Sequence, residues 1–235
     1  MESSIYLLLV LIEYVLLVST AAPFILVNRF SKTPNLGIAI WFLLFFSAMA
    51  ASIVAVGIAA WSIIETYYLL QTATDIWMIL AVSFAPWLML AFAGILLALS
   101  NQKLEPLFRA AKEFDQLAQL ARREVESFHR AKVYELEVPS YIALTRGYAI
   151  YLSKAVFNLP DRQLEAILWH EYGHIRLRHQ RLKRFTGLMM QLAPWFVVSR
   201  GFAFEVNKLC EIAADRYALK RVYSKDLTAA RANFL

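Results

Sequence analysis

The sequence Trp169-His170-Glu171-Tyr172-Gly173-His174 lies in the more polar half of this 235-residue chain. In an α-helix, residues four positions apart project from one face, so the imidazoles of His170 and His174 can bind the same zinc ion. Glu171 follows the first histidine directly, which allows its carboxylate to act as a general base on a water at the metal. This spacing is typical of a zinc peptidase site, although a solvated helix face can carry the same residues by chance.

Two histidines do not complete a catalytic zinc site, which usually has three protein ligands and one open position. His179 is one candidate, but a continuous helix would point it away from the face shared by His170 and His174. Glu211 is the better candidate, because Asp215 lies one helical turn after it and can accept a hydrogen bond from a ligand histidine. On their own, these two carboxylates could equally face neighbouring basic residues on a solvated surface. With the histidine motif upstream, we expect one zinc ion per chain.

The chain is apolar and unevenly charged. Its residues are 60% hydrophobic, which is more than an ordinary soluble domain contains. The first 100 residues carry two basic and four acidic side chains, a net charge of −2. Because the whole chain has a net charge of +6, the remaining residues carry a net charge of +8. The single cysteine, Cys210, excludes a disulfide framework within the chain and is compatible with a reducing compartment. The composition therefore predicts an apolar half followed by a basic half.

Three apolar runs in the first half are each long enough to cross a bilayer as a helix. They predict a transmembrane domain over residues 1–100, with spans at 5–27, 38–64 and 76–99.

Basic residues mark one side of these spans. Arg29 and Lys32 follow the first span and several basic residues follow the third, whereas the loop at 65–75 has no Lys or Arg. By the positive-inside rule, the N-terminus is outside and the basic half is cytoplasmic, next to an anionic leaflet. We expect an integral membrane protein, with the bacterial inner membrane as its location.

Residues 101–131 have an apolar stripe at helical spacing and predict an amphipathic connecting helix. Beyond residue 132 the apolar residues alternate, which predicts two or three short strands, with Arg146-Gly147 as the turn before the last. An exposed edge strand can hold a peptide substrate beside a metal, although an ordinary core sheet would show the same alternation. The residues assigned to the substrate-binding strand are Gly147, Tyr148, Ala149, Ile150 and Tyr151.

The motif is expected to lie in the middle of a helix that begins at Pro160 and runs to about His179. The apolar segment 185–204 contains polar interruptions and predicts a helix pair or a reentrant element that dips against the membrane or packs on the spans. A fourth span there would place Glu211 and His170 on opposite sides of the membrane, where they could not share a zinc ion.

The combination of His170-Glu171-Tyr172-Gly173-His174 with Glu211-Ile212-Ala213-Ala214-Asp215 resembles the HExxH plus ExxxD pattern of membrane gluzincin metallopeptidases. These include the HtpX and Oma relatives, the CAAX prenyl proteases and the BlaR/MecR-type peptidases. The resemblance extends over about residues 133–221. It implies that the two histidines and Glu211 bind zinc, that Glu171 is the base, and that Asp215 holds a ligand in place.

The predicted fold is a mainly α membrane protein, in which three transmembrane helices precede a helical gluzincin-type zinc domain with a small β-sheet at 132–235. The predicted function is that of a zinc-dependent endopeptidase that cleaves proteins or peptides at a cytoplasmic, membrane-proximal site. Its expected partners are a protein or peptide substrate and the lipid bilayer, without nucleic acid. Three residues are candidates for stabilising the transition state: His129, Arg216 and Tyr217.

Two other functional classes are compatible with parts of the sequence. A non-catalytic membrane scaffold or signalling sensor could retain a structural zinc site, but such a site has no need of Glu171. A nucleic-acid binder would explain the isoelectric point near 9.4. No zinc-finger, helix-turn-helix or RNP signature supports that function.

Overall fold

The computed structural model describes residues 2–69, 84, 91, 122–192 and 197–234. These residues form two compact units. Within the described ranges, the first unit contains 2–29, 39–69, 84, 91 and the described part of 188–202. The second unit contains 30–38, 122–187 and 203–234.

Two long apolar helices dominate the first unit: α1, Glu2–Leu26, and α2, Pro34–Leu69. Each contains a stretch that is long and apolar enough to cross a membrane, Tyr6–Leu26 and Pro34–Ser62. Only 17% and 28% of their most apolar windows are buried, whereas the core helix of a soluble protein would be mostly buried. The first two predicted spans are therefore helical. The third, at 76–99, lies outside the described residues except for two isolated helical positions.

Residues 185–192 form the end of one helix, and residues 197–204 form the start of another. These are α5, His179–Leu192, and α6, Val197–Ala218. At the start of α6, Phe202 is fully buried and its ring stacks on Phe45 at 4.7 Å between centroids, within the first unit. The start of α6 therefore packs on α2 within the first unit.

The second unit contains a four-stranded mixed sheet of order β1-β2-β4-β3. The pairs β1–β2 and β3–β4 are antiparallel, and β2–β4 is parallel. The strands are β1, Arg122–Phe128, β2, Ala131–Leu136, β3, Ala143–Arg146, and β4, Ala149–Ser153.

The predicted connecting helix at 101–131 is wrong over its last ten residues. Residues 101–121 lie outside the described part, but 122–131 form β1, a two-residue turn and the start of β2. His129, in that turn, has a φ of +56°, a left-handed conformation that a right-handed helix does not contain. Residues 122–128 pair with β2 although their apolar residues have helical spacing. The prediction failed because strand pairing depends on a partner strand, which local spacing does not show.

The predicted substrate-binding strand is also wrong in position. Gly147 and Tyr148 form the tight turn between β3 and β4, where Gly147 has a φ of +64°. Residues 149–151 belong to β4, which pairs with β2 on one side and β3 on the other, so its backbone is not open to a peptide. Among the described residues, β3 pairs only with β4, so β3 is one edge strand of the sheet and β1 is the other.

The sheet packs against the helix that carries the histidine motif, α4, Asp161–Arg176. Ile150 and Leu152 are fully buried and share one core cluster with Ile167 of α4. Burial of each such side chain contributes about 1.5–3 kcal/mol, so this face fixes α4 on the sheet. The described part of this unit also contains α3, Lys154–Phe157, and α7, Ser224–Arg231, which continues into a 3-10 turn at Ala232–Phe234.

The motif helix ends earlier than predicted. It stops at Arg176 instead of His179, and Arg178 adopts a φ of +55°, which closes the helix. The chain then starts α5 at His179, so the side chain of His179 is not oriented by the same helix as His170 and His174.

Candidate metal centre

Gly173 allows α4 and α6 to approach each other closely. A Cβ atom at this position would lie 3.2 Å from the Cβ of Tyr217 and 3.3 Å from the Cα and carbonyl oxygen of Ala214. Ordinary carbon contacts are about 3.5–4.0 Å, so a larger side chain would push the helices apart. Glu211 lies one turn before Ala214 on α6, and the close approach therefore places its carboxylate opposite the two histidines.

Three side chains converge with the geometry that zinc requires. The Nε2 atoms of His170 and His174 are 3.2 Å apart, and they lie 3.3 and 3.6 Å from the carboxylate oxygens of Glu211. Zinc bonds of about 2.0–2.1 Å in a tetrahedral arrangement place neighbouring ligand atoms about 3.3 Å apart. Two histidines and one glutamate are also a common ligand set of catalytic zinc sites. His170, His174 and Glu211 thus fit a single zinc ion, as the sequence predicted.

Asp215 orients the first of these ligands. The Nδ1–H of His170 donates to Oδ1 of Asp215 at 2.8 Å, which leaves the lone pair of Nε2 directed at the metal position. The other carboxylate oxygen of Asp215 accepts a hydrogen bond from Arg231 on α7. The structure therefore places Asp215 where a ligand-orienting group is needed, and Arg231 supports it from a helix that the motif did not identify.

His179 contacts the second ligand, contrary to the expectation that it points away. Its Nδ1 lies 2.9 Å from Nδ1 of His174, and only 1% of its surface is exposed. Burial, together with the nearby positive groups of His174 and Lys183, lowers the pKa of His179 to about 3. A neutral His179 can accept the Nδ1–H of His174, so that Nε2 of His174 faces the metal. The helix break at Arg178 makes this contact possible, and no spacing rule would have predicted it.

The centre is strongly polarised. Burial opposes ionisation of Glu211, but hydrogen bonds with His170, His174 and Lys183 outweigh it and hold the pKa of this carboxylate far below its usual range. Burial also lowers the pKa of His170, yet its hydrogen bonds to Asp215 and Glu211 raise the pKa to about 9. The site is thus built to hold a positive charge between acidic groups, which a zinc ion supplies in place of the proton.

Lys183 was missed by the sequence reasoning. Its Nζ lies 2.6 Å from Oε1 of Glu211. In the sequence, Lys183 is distinguished by its position one helical turn after His179. That position indicates a role at the metal centre only when His179 is known to face it.

Glu171 lies beside the edge strand. The hydroxyl of Thr145, on β3, is 2.6 Å from Oε2 of Glu171 and 3.1 Å from its backbone carbonyl oxygen. Both residues line an open cavity of about 500 Å³ that also contains the two histidines and Glu211. The remaining residues that line it are Ala143, Leu144, Arg146, Gln180, Lys183 and Arg184.

The three predicted transition-state stabilisers are not among the residues that line this cavity. His129 packs its ring against Trp169 at 4.7 Å between centroids. Arg216 donates to the backbone carbonyl of Lys32, and with Tyr217 it lines a separate cavity. Although they are the two residues after Asp215, they project from other faces of α6. The basic side chains at the metal cavity are instead Arg146, Lys183 and Arg184.

Comparison with known proteins adds one match. Residues 109–213 match the family model described as Peptidase family M48, a range that contains the histidine motif and Glu211 and ends two residues before Asp215. No curated protein gives a significant match to the chain.

Proposed function

We propose that the chain, whose residues 109–213 match the model of peptidase family M48, is an integral membrane endopeptidase of that family with a cytoplasmic, membrane-proximal site. The family match and the ligand geometry support a zinc metalloendopeptidase that acts on protein substrates. The observation that carries the proposal is the convergence of His170, His174 and Glu211 beside the carboxylate of Glu171 in one open cavity.

The residues of the cavity divide the chemistry between them. Zinc held by His170, His174 and Glu211 supplies a Lewis acid that polarises a carbonyl group and makes water more acidic. Glu171 accepts a proton from the attacking water and returns it to the leaving amine nitrogen. The hydroxyl of Thr145, 2.6 Å from Oε2 of Glu171, holds the carboxylate in position and leaves its other oxygen free for the water.

The edge strand offers a binding surface for an extended substrate. Ser153 N–H donates to the carbonyl of Ile142 at 2.9 Å, which fixes the register of β3 on β4. In an antiparallel pair the hydrogen-bonded positions alternate, so Leu144 and Arg146 bond to β4, whereas Ala143 and Thr145 direct their backbone groups toward the open edge. The carbonyl of Thr145 accepts a hydrogen bond from Gln180 at 3.4 Å. A peptide can pair by strand addition with the backbone groups of Ala143 and the N–H of Thr145, and present a bond to Glu171.

The membrane location rests on the apolar helices and on the loop between them. Helices α1 and α2 have the length and composition of spans. Arg29 and Lys32 in their loop favour the cytoplasmic side. Residues 30–38 belong to the second unit, where Arg216 donates to the carbonyl of Lys32. A loop between two spans lies at the membrane surface, which supports a membrane-proximal site.

Zinc content and casein cleavage by the purified full chain in lipid nanodiscs test the proposal. We expect the wild type to bind one zinc ion and to cleave casein, and the Glu171→Gln variant to keep zinc while losing activity by about 10²–10⁴-fold, the usual contribution of a general base. Glu165→Gln is the matched control, because Glu165 is exposed on the same helix and does not line the cavity. Equal inactivity of the wild type and Glu171→Gln with zinc bound would instead favour the non-catalytic scaffold.

A further inference from the structure

Gln180, in the first turn of α5, contacts the open edge of β3. Its Oε1 accepts a hydrogen bond from the backbone N–H of Gly147 at 2.6 Å, and its Nε2 donates to the carbonyl of Thr145 at 3.4 Å. Gln180 also lines the metal cavity. The side chain therefore lies at the junction between the edge strand and the catalytic centre.

These two contacts are the ones that a residue of an added strand would make. A glutamine amide carries the same donor and acceptor as a peptide group. Thr145 faces away from β4, and Gly147 is the turn residue that directly follows β3. Their backbone groups contact the same side chain and thus form one bonding position at the end of the open edge. Gln180 fills that position, while the backbone groups of Ala143 still face the open edge.

The position of Gln180 relative to Glu171 sets a distance along the substrate. Thr145 contacts Glu171 through its hydroxyl, so the reacting bond lies beside Thr145. Gly147 is two residues further along, which corresponds to about 7 Å at 3.2–3.4 Å per strand residue. A peptide that follows β3 toward Gly147 reaches Gln180 within about two residues of the bond that is cleaved.

We propose that Gln180 ends the peptide-binding edge at β3. It thereby limits the extended part of the substrate to about two residues on the side of the cleaved bond that lies toward Gly147. This inference rests on the proposed peptidase function and adds a specificity determinant to it. The preferred substrate is a peptide segment whose extended conformation stops close to the cleaved bond on that side, at a chain end or at a proline. Proline qualifies because it lacks the N–H that pairing requires.

Cleavage maps of the zinc-loaded full chain test this assignment. A mixture of synthetic peptides with cleavable bonds at varied distances from either end, and from an internal proline, is digested and analysed by mass spectrometry. For the wild type, we expect most cleavage at bonds that lie within about two residues of a chain end or a proline on one side. For Gln180→Ala we expect cleavage of interior bonds to rise by about two- to tenfold, the range of one lost hydrogen bond.

Two variants separate a specificity role from a structural one. Gln180→Glu keeps the acceptor for Gly147 N–H and should retain the wild-type map, whereas Gln163→Ala, a partly buried glutamine of α4 outside the cavity, should change neither map nor rate. Hydrogen exchange at the Gly147 amide should rise in Gln180→Ala alone. A faster exchange with an unchanged map, or a uniform loss of rate at all bonds, would overturn the inference. A wild type as inactive as Glu171→Gln would overturn the proposed function itself.

Discussion

The substitution Gly173→Ala tests whether close helix packing sets the zinc site. The new Cβ would meet Tyr217 Cβ at 3.2 Å and two backbone atoms of Ala214 at 3.3 Å, so α6 must shift by a few tenths of an ångström. Backbone atoms cannot rotate away as the end of a side chain can. Zinc–ligand distances tolerate only about 0.2 Å, and Glu211 is carried by the helix that moves. We therefore expect weaker zinc binding.

The size of the loss follows from the cost of overpacking. Extra methyl groups in a well-packed contact cost about 1–3 kcal/mol. Because the helices can relax when the metal is absent and must return when it binds, this cost falls mainly on zinc binding. At 1.4 kcal/mol per factor of ten, zinc affinity should fall by roughly 5- to 100-fold.

Competition with a chromogenic chelator measures this affinity on the full chain. Gly187→Ala is the matched control, because a Cβ on Gly187 of α5 meets nothing within 4 Å. It should bind zinc as the wild type does and gain up to about 1 kcal/mol in helix stability. Circular dichroism establishes that both variants are folded. A folded Gly173→Ala protein with zinc affinity within about twofold of the wild type, a change of less than about 0.5 kcal/mol, would refute the packing argument.

Two further predictions concern the groups around the metal. Thr145→Val should lower kcat by about tenfold with zinc content unchanged, because the carboxylate of Glu171 loses the hydrogen bond from the Thr145 hydroxyl. Thr145→Ser keeps a hydroxyl and should retain the wild-type rate. Equal rates for the two variants would contradict this role. In the metal-free protein, His170 is protonated below its pKa of about 9, so zinc must displace a proton from it. The apparent affinity for zinc should therefore rise by about tenfold per pH unit from pH 6.5 toward 9. Calorimetry in two buffers should show close to one proton released per zinc at neutral pH, and fewer with Asp215→Asn, which should also bind zinc about 10- to 100-fold more weakly. Affinity independent of pH would contradict the assignment.

The sequence by itself determined the features that depend on neighbouring residues. Four-residue spacing places His170 and His174 on one helix face, and the same spacing pairs Glu211 with Asp215, because the geometry of a helix is local. The ligand set predicted from these two spacings is confirmed. Continuous apolar runs also predicted the first two long helices, since length and composition alone decide whether a helix can cross a bilayer.

The tertiary structure decided which distant segments meet. Pairing between β1 and β2 converted residues 122–131 from a predicted helix into a hairpin, and sheet order made β3 the edge strand in place of 147–151. The reversal at Arg178 brought His179 back to His174. Strand pairing and side-chain contacts depend on partners far along the chain, so no local period reveals them. Thus the metal ligands could be predicted from the sequence, whereas the strand, the threonine and the glutamine around the substrate position emerged only from the fold.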